Sequence, residues 1–150
     1  MNTKIKILSV FVSGDFNILH PGHLRLFRYA KECGDRLIVG VSSDRFAGNG
    51  KGPHISENLR LDVVQSNNWV DEAFMIDEEV VTVIERLRPD IVLKGKEHES
   101  LLNPELEVLK QYGGRLLFSS GGTAFSSLDL LHKEFYEFDP SSINLPHDYL

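Results

Sequence analysis

At 150 residues, with 41% hydrophobic and 25% charged residues, the chain has the size and composition of one ordinary globular domain. Its formal net charge of −6 argues against broad electrostatic binding to nucleic acid. The single cysteine, Cys33, excludes an intrachain disulfide and argues against a thiolate-rich zinc site. No apolar run is long enough to cross a membrane, and the amino end lacks a signal-peptide profile, so we expect a cytoplasmic protein without a membrane partner.

The first half of the chain alternates buried strands with helices. Strands are predicted at 5–13 and 36–41, because both runs are apolar and rich in β-branched residues. Apolar spacing predicts a helix at 21–31, and a second helix is predicted at 57–67, before a short strand at 73–76. The stretch 44–56 contains several glycines and a proline and is predicted to be a loop.

The second half continues the alternation and then changes character. Helices are predicted at 79–88 and 104–112, the first ended by a proline and the second by a glycine pair. Strands follow at 90–93 and 115–118, and a last helix is predicted at 126–135. Residues 136–150 contain two prolines and no periodicity, so we interpret them as a tail or the start of an interdomain linker after a domain at 1–135.

This order of elements predicts an α/β fold. Strands that alternate with helices indicate a Rossmann-like three-layer sandwich, in which helices cover both faces of a five-stranded parallel sheet. Such a sheet binds its ligand beyond the carboxyl ends of the strands, where the strand order switches. The loops 14–21, 42–56, 94–98 and 119–126 are therefore the places to look for a site.

The loop after the first strand carries the strongest chemical signal. Pro21 suits the first position of a helix, and Gly22 allows an anion to approach the free N–H groups of that first turn. His20 and His23 are three residues apart, so both imidazoles lie on one side of the turn and can donate to phosphate oxygens. A pair of histidines could also be half of a metal site, but no cysteine or third nearby histidine completes it.

This segment resembles the His-x-Gly-His signature of the nucleotidyltransferase superfamily that includes the cytidylyltransferases. The chain looks most similar to the nucleotidyltransferase domain of the bifunctional heptose-phosphate kinase/adenylyltransferases, and next to glycerol-3-phosphate cytidylyltransferase. Further stretches that match the family lie at 34–39, 57–60, 88–95, 112–114 and 122–127. The chain has Asn17 where the family usually has aspartate, and 119–122 lack the arginine of the glycerol-3-phosphate enzymes.

The resemblance implies roles for individual residues. His20 and His23 would stabilise the triphosphate as pyrophosphate leaves, and Ser126 and Ser127 would hold its β- and γ-phosphates. The implied nucleotide-binding residues are Gly14, Asp15, Phe16, His20, Gly22, His23, Lys94, Gly95, Ser126 and Ser127. The acceptor would contact Asn17, Arg45 and Lys51, and Lys51 and Arg60 would join the histidines in catalysis. The charge run Lys96, Glu97, His98 and Glu99 is interpreted instead as a solvent-exposed loop.

The implied reaction is transfer of a nucleoside monophosphate from CTP or ATP to a phosphorylated or phosphonate small molecule, with a sugar phosphate favoured. Mg²⁺ would come with the triphosphate, and no residue is predicted as a protein metal ligand. A homodimer is expected, with a sugar kinase as fused or separate partner and with no nucleic acid. The alternatives are a catalytically silent nucleotide sensor, a cytidylyltransferase for a polyol or amino-alcohol phosphate, and a dinucleotide-binding domain, whose glycine-rich first turn is lacking here.

Overall fold

The computed structural model describes residues 6–19, 21–47 and 55–119. The strands are β1 (Ser9–Gly14), β2 (Arg36–Ser42), β3 (Glu72–Ile76), β4 (Ile91–Lys94) and β5 (Arg115–Phe118). The helices are α1 (Pro21–Cys33), α2 (Glu57–Gln65), α3 (Val80–Leu87) and α4 (Glu105–Tyr112), with a short 3-10 helix at Lys96–His98. Within these residues no helix is long and apolar enough to span a membrane. The predicted helix at 126–135 and the tail at 136–150 lie outside the described residues.

All five strands are parallel and form one sheet in the order β3-β2-β1-β4-β5. The chain builds outward from β1 to β2 and β3, and then crosses back to place β4 on the other side of β1. The strand order therefore switches between β1 and β4, the position at which parallel α/β sheets bind ligands.

Alternating side chains of the sheet bury two separate cores. Val10 and Val12 of β1 pack with Phe27 of α1 and Val64 of α2, whereas Phe11 packs with the cluster formed by α3 and α4. This alternation is what a parallel strand covered on both faces requires. The predicted α/β three-layer sandwich is thereby confirmed.

The first strand is shorter than predicted at its amino end. It begins at Ser9 rather than at residue 5, because the residues before it pair with turns instead of strands. The N–H of Leu8 donates to Asp35 Oδ2 at 2.8 Å, and its carbonyl accepts from the N–H groups of Asp35 and Arg36. The apolar run at 5–13 predicted a strand over its whole length, but Leu8 forms its hydrogen bonds with the turn between α1 and β2.

Arg88, Pro89 and Asp90 open the stretch 88–95 that matches the family. They make structural contacts at the end of the sheet opposite the carboxyl ends of the strands. The Ser9 N–H donates to Asp90 Oδ2 at 2.9 Å, and the Ser9 hydroxyl approaches the same oxygen at 3.2 Å. The Tyr112 hydroxyl donates to the Pro89 carbonyl at 2.6 Å, while the Arg88 guanidinium lies 4.8 Å from the Tyr112 ring centroid. These contacts fix the start of β4 against β1 and α4.

We expect Asp90→Asn to lower the melting temperature near neutral pH. The hydrogen bond from the Ser9 N–H is the main cause that lowers the pKa of Asp90; burial opposes it, and smaller contributions from Lys6 and the Ser9 hydroxyl add to the lowering. A lowered folded-state pKa gives stability that is present above the unfolded value of about 3.9 and is lost as the pH falls through the folded value. The difference between the two proteins should therefore shrink in acid.

Thermal unfolding followed by circular dichroism between about pH 7 and pH 3 measures this difference. Asp62→Asn on the exposed side of α2 is the matched control and should leave the melting temperature almost unchanged. A gap between Asp90→Asn and the native chain that stays constant across the pH range would contradict the assignment.

Candidate active site

A cavity of about 580 Å³ opens at the carboxyl ends of the strands, where the topology predicts a ligand site. The residues at the strand ends that line it are Ser13, Gly14, Ser42, Lys94, Gly95 and Ser119. Asp15, Phe16, Gly22, His23 and His98 complete much of its polar and aromatic wall. The cavity therefore spans the switch between β1 and β4.

The amino end of α1 forms one wall of this cavity. The helix begins at Pro21, and both Gly22 and His23 line the cavity. No residue of its first turn is acidic, so no side chain within that turn opposes the positive end of the helix dipole. A positive helix end and an imidazole together form a surface suited to phosphate.

The ring of Phe16 supports the imidazole of His23. The two ring centroids are 5.2 Å apart at an interplanar angle of 63°. The ring centroids of Phe16 and Phe27 are 5.6 Å apart. Phe16 adopts a left-handed backbone with φ of 51°, which costs a non-glycine residue about 1 kcal/mol or more. A Cβ on Gly14 would lie 3.2 Å from this ring, so a side chain there would require the ring to shift by a few tenths of an ångström. Phe16 is thus placed to position His23.

Arg60 lies beneath the site and holds two of its loops. Its side chain is completely buried, and the described cavity wall does not include it. One guanidinium nitrogen, Nη1, donates to the carbonyls of Asp15 at 2.6 Å and Ser42 at 2.7 Å. Nε donates to the Ile55 carbonyl at 2.9 Å, and Nη2 to Asp44 Oδ1 at 2.8 Å. These contacts make Arg60 a support of the two loops, and the part in catalysis that the resemblance implies stays a prediction.

Two of the residues predicted to bind the acceptor, Asn17 and Arg45, do not line the cavity. Arg45 is 72% exposed and its guanidinium pairs with Asp77 Oδ2 at 3.0 Å. The pKa of Asp77 is lowered chiefly by a hydrogen bond from Ser43 and further by Arg45, while desolvation opposes the shift. Asn17 Oδ1 accepts from the Ile55 N–H at 3.2 Å, a contact that the usual aspartate could also make. Asn17 therefore ties the first loop to the start of α2.

Lys94 and the loop after it form the opposite wall. The Lys94 ammonium donates to Asn103 Oδ1 at 2.7 Å and to Glu105 Oε1 at 3.0 Å. Ser119 Oγ accepts from the N–H of Lys96 at 3.2 Å. Lys96 and Glu99 are exposed, as the interpretation of the charge run as a solvent-exposed loop predicts, whereas His98 is half-buried and lines the cavity.

Sequence reasoning missed two residues of this wall, Glu105 and Ser119, and also Asn103, which holds Lys94 without lining the cavity. A signal existed for one of them, because an acidic residue after Asn-Pro at a helix start is typical of a first helical turn. His20, Lys51, Ser126 and Ser127 lie outside the described residues, so their roles stay predictions. Within the described part of the chain, no group of three or more His, Cys, Asp or Glu residues could hold a metal ion.

The geometry can be compared with known proteins. The model of the cytidylyltransferase-like family matches residues 11–113, which run from β1 to the end of α4. The chain belongs to this family. Membership confirms the predicted nucleotidyltransferase superfamily, and it covers the α1 amino end, Arg60 and the Lys94 loop.

Two relatives support this family membership. The bifunctional protein HldE of Gluconobacter oxydans (strain 621H) is 36% identical over 112 residues, which are 72% of this chain and 23% of that protein. HldE of Caulobacter vibrioides is 33% identical over 125 residues, or 81% of this chain and 26% of that protein. The chain thus spans about a quarter of these relatives.

A lipopolysaccharide core biosynthesis protein from Thermoplasma volcanium GSS1 has a similar structure. It aligns with a TM-score of 0.65 at 28% identity, covering 77% of this chain and 99% of that one. A protein of unknown function from Archaeoglobus fulgidus shares the fold, with a TM-score of 0.53 at 20% identity.

Proposed function

We propose that the chain transfers a nucleoside monophosphate from ATP or CTP to a phosphorylated sugar and releases pyrophosphate. One observation carries the proposal: His23 and the amino end of α1 line a cavity that spans the β1–β4 switch, in a member of a nucleotidyltransferase family. The relatives' size and their name as bifunctional proteins support a sugar kinase as a fused or separate partner.

In this reaction an oxygen of the acceptor phosphate attacks the α-phosphorus in line. The bond from phosphorus to the α–β bridging oxygen breaks, and its electron pair leaves with pyrophosphate. Catalysis is then positioning plus stabilisation of the charge that develops on the leaving group. His23 lines the cavity beside the Phe16 ring, which supports its proposed role of donating to that charge. His20 is proposed to act with it. No covalent enzyme intermediate is needed.

Magnesium would travel with the triphosphate. Mg²⁺ prefers oxygen ligands and is often bound by one carboxylate and the phosphates of the nucleotide. Asp15 is a carboxylate in the cavity wall next to the α1 terminus, so the residues present fit an ion carried by the nucleotide. When bound, the ion would neutralise phosphate charge.

The proposal is tested by measuring pyrophosphate. The protein is incubated with each of the four nucleoside triphosphates, magnesium, and a panel of phosphorylated sugars, polyols and amino alcohols. We expect release with ATP or CTP and a sugar phosphate, and none when the acceptor is omitted. Nucleotide binding without release across the whole panel would contradict the proposal and support a silent sensor. Release with a polyol or amino-alcohol phosphate alone would transfer the assignment to that acceptor class.

Lys51→Ala is expected to raise the KM for the acceptor phosphate by about 10-fold or more, because it removes a charged hydrogen-bond donor. The KM for the nucleotide should change much less. Arg45→Ala is the matched control: its guanidinium pairs with Asp77 outside the cavity wall, so both KM values should stay within about twofold. Steady-state kinetics with each substrate varied in turn measures both. The reverse result would assign the acceptor phosphate to Arg45.

A further inference from the structure

Glu105 is a buried acid that is only half satisfied. It is the first residue of α4, and 9% of its surface is exposed. Oε1 accepts from the Lys94 ammonium at 3.0 Å. Within the described part of the chain, Oε2 is buried and has no hydrogen-bond partner. Leaving such an acceptor unpaired costs about 1–3 kcal/mol, so its retention needs an explanation.

Glu105 lies in the wall of the cavity at the carboxyl ends of the strands. Glu105 lines the same cavity as His23, and Lys94, its partner, lines it as well. The Lys94 ammonium holds one oxygen, while the second is buried at this wall and has no donor among the described residues. The ligand group must be a hydrogen-bond donor, because an ionised carboxylate is an acceptor only.

The position of Glu105 indicates which part of a ligand it meets. Ionised phosphates carry no donors and are repelled by a carboxylate. Neighbouring strands of a sheet are about 5 Å apart, and the strand order here is β1-β4-β5. Because α1 follows β1, β4 and β5 lie progressively farther from the phosphate surface at the amino end of α1. The loop that carries Arg45 lies after β2, on the other side of β1. A nucleotide with its phosphates at α1 therefore reaches Glu105 with its nucleoside.

The apolar wall favours the base over the ribose. Val80 at the start of α3 and Val92 of β4 line the cavity, and both belong to the core on the α4 face of the sheet. Aliphatic side chains pack against a flat ring, whereas a ribose diol needs polar partners. We infer that Glu105 Oε2 accepts a hydrogen bond from the exocyclic amino group of the base, which selects amino-bearing nucleotides over their oxo counterparts.

The inference rests on the proposed function in that it takes the ligand to be a nucleotide. It makes a sharp prediction about Glu105→Gln. Lys94 still requires an acceptor, so the amide oxygen of the new side chain takes the place of Oε1. The amide NH₂ then occupies the position of Oε2 and turns an acceptor into a donor. The preference should move from amino to oxo bases, from ATP to ITP and from CTP to UTP.

Titration calorimetry of the full chain with the pairs ATP and ITP, and CTP and UTP, tests this. The native chain should bind at least one amino member about 10-fold or more tighter than its oxo counterpart. Glu105→Gln should abolish or reverse that ratio. Glu107→Gln, at an exposed position on the same helix, is the matched control and should leave the ratio unchanged. Melting curves of both variants show whether they are folded.

Three results would overturn the inference. The native chain could bind both members of each pair equally, or bind no nucleotide. Glu105→Gln could weaken all four nucleotides by one common factor, as a purely structural partner of Lys94 would. The substitution could instead change the ratio of ATP to 2′-deoxy-ATP, which would assign the oxygen to the ribose. Absence of pyrophosphate release with the expected binding ratios intact would overturn the proposed function alone.

Discussion

His23→Ala is expected to lower kcat by about 10²–10³-fold, the loss measured when one preorganised donor is removed from a developing charge. Charge accumulates on the bridging oxygen only as the bond to the α-phosphorus breaks, so a donor placed there acts mainly on the transition state. Nucleotide affinity should fall much less, because the N–H groups of the α1 terminus remain. Steady-state kinetics together with nucleotide titration separates the two effects.

The control for this experiment lies on the same helix. Arg28 is exposed on α1, and Arg28→Ala should leave kcat and folding almost unchanged. Adding His20→Ala to His23→Ala should cost less than the product of the two single losses, because both residues are proposed to act on one leaving group. If the His23 variant were destabilised but its folded fraction fully active, the imidazole would be a packing partner of Phe16 and not a catalytic residue.

Arg60→Ala is expected to lower the free energy of unfolding by about 3–5 kcal/mol, in the range seen when one partner of a buried charged network is removed. Its contacts with three carbonyls and one carboxylate would lose their donor together. Arg60→Lys should rescue little, because a compact ammonium cannot reproduce a planar fork. Urea unfolding measures both, and Arg86→Ala, an exposed arginine on α3, should cost about 0.5 kcal/mol or less.

A second readout distinguishes support from catalysis. Since Arg60 fixes the carbonyls of Asp15 and Ser42, the folded fraction of Arg60→Lys should bind nucleotide more weakly as well as turn over more slowly. An Arg60→Ala protein with native stability, native nucleotide affinity and a reduced kcat would show that the residue acts on the reacting phosphate after all.

The fold was predictable because its signals are local. The apolar runs of β2 and β4 and the glycine pair after α4 each fix an element within a few residues, and alternation then implies a parallel sheet. The start of β1 was not predictable, since it depends on Asp35, 27 residues from Leu8. The contact of Asp90 was not predictable for the same reason, because its carboxylate accepts from the N–H of Ser9, which is 81 residues away in the sequence.

The residues of the cavity that were predicted belong to segments that match the family. Gly14, Gly22 and His23 lie in a single strand–loop–helix unit, Lys94 and Gly95 lie in the 88–95 stretch, and all five line the cavity. Arg60 was recognised as important, but its actual partner at Asp15 is 45 residues away and is a carbonyl that any residue would supply. Glu105 resembles an ordinary first-turn acid until the tertiary structure shows the cavity beside it.

The support provided by Arg60 has a consequence for how specificity can change. Three of its four partners are main-chain carbonyls, those of Asp15, Ser42 and Ile55. A carbonyl is present whatever side chain the residue carries, so the guanidinium constrains the path of the loops and not their chemistry. The side chains at 42 and 55 can therefore be exchanged while the scaffold keeps its shape. Ser42 lines the cavity, so variants at this position that keep Arg60 should change the cavity wall without changing the path of the loop.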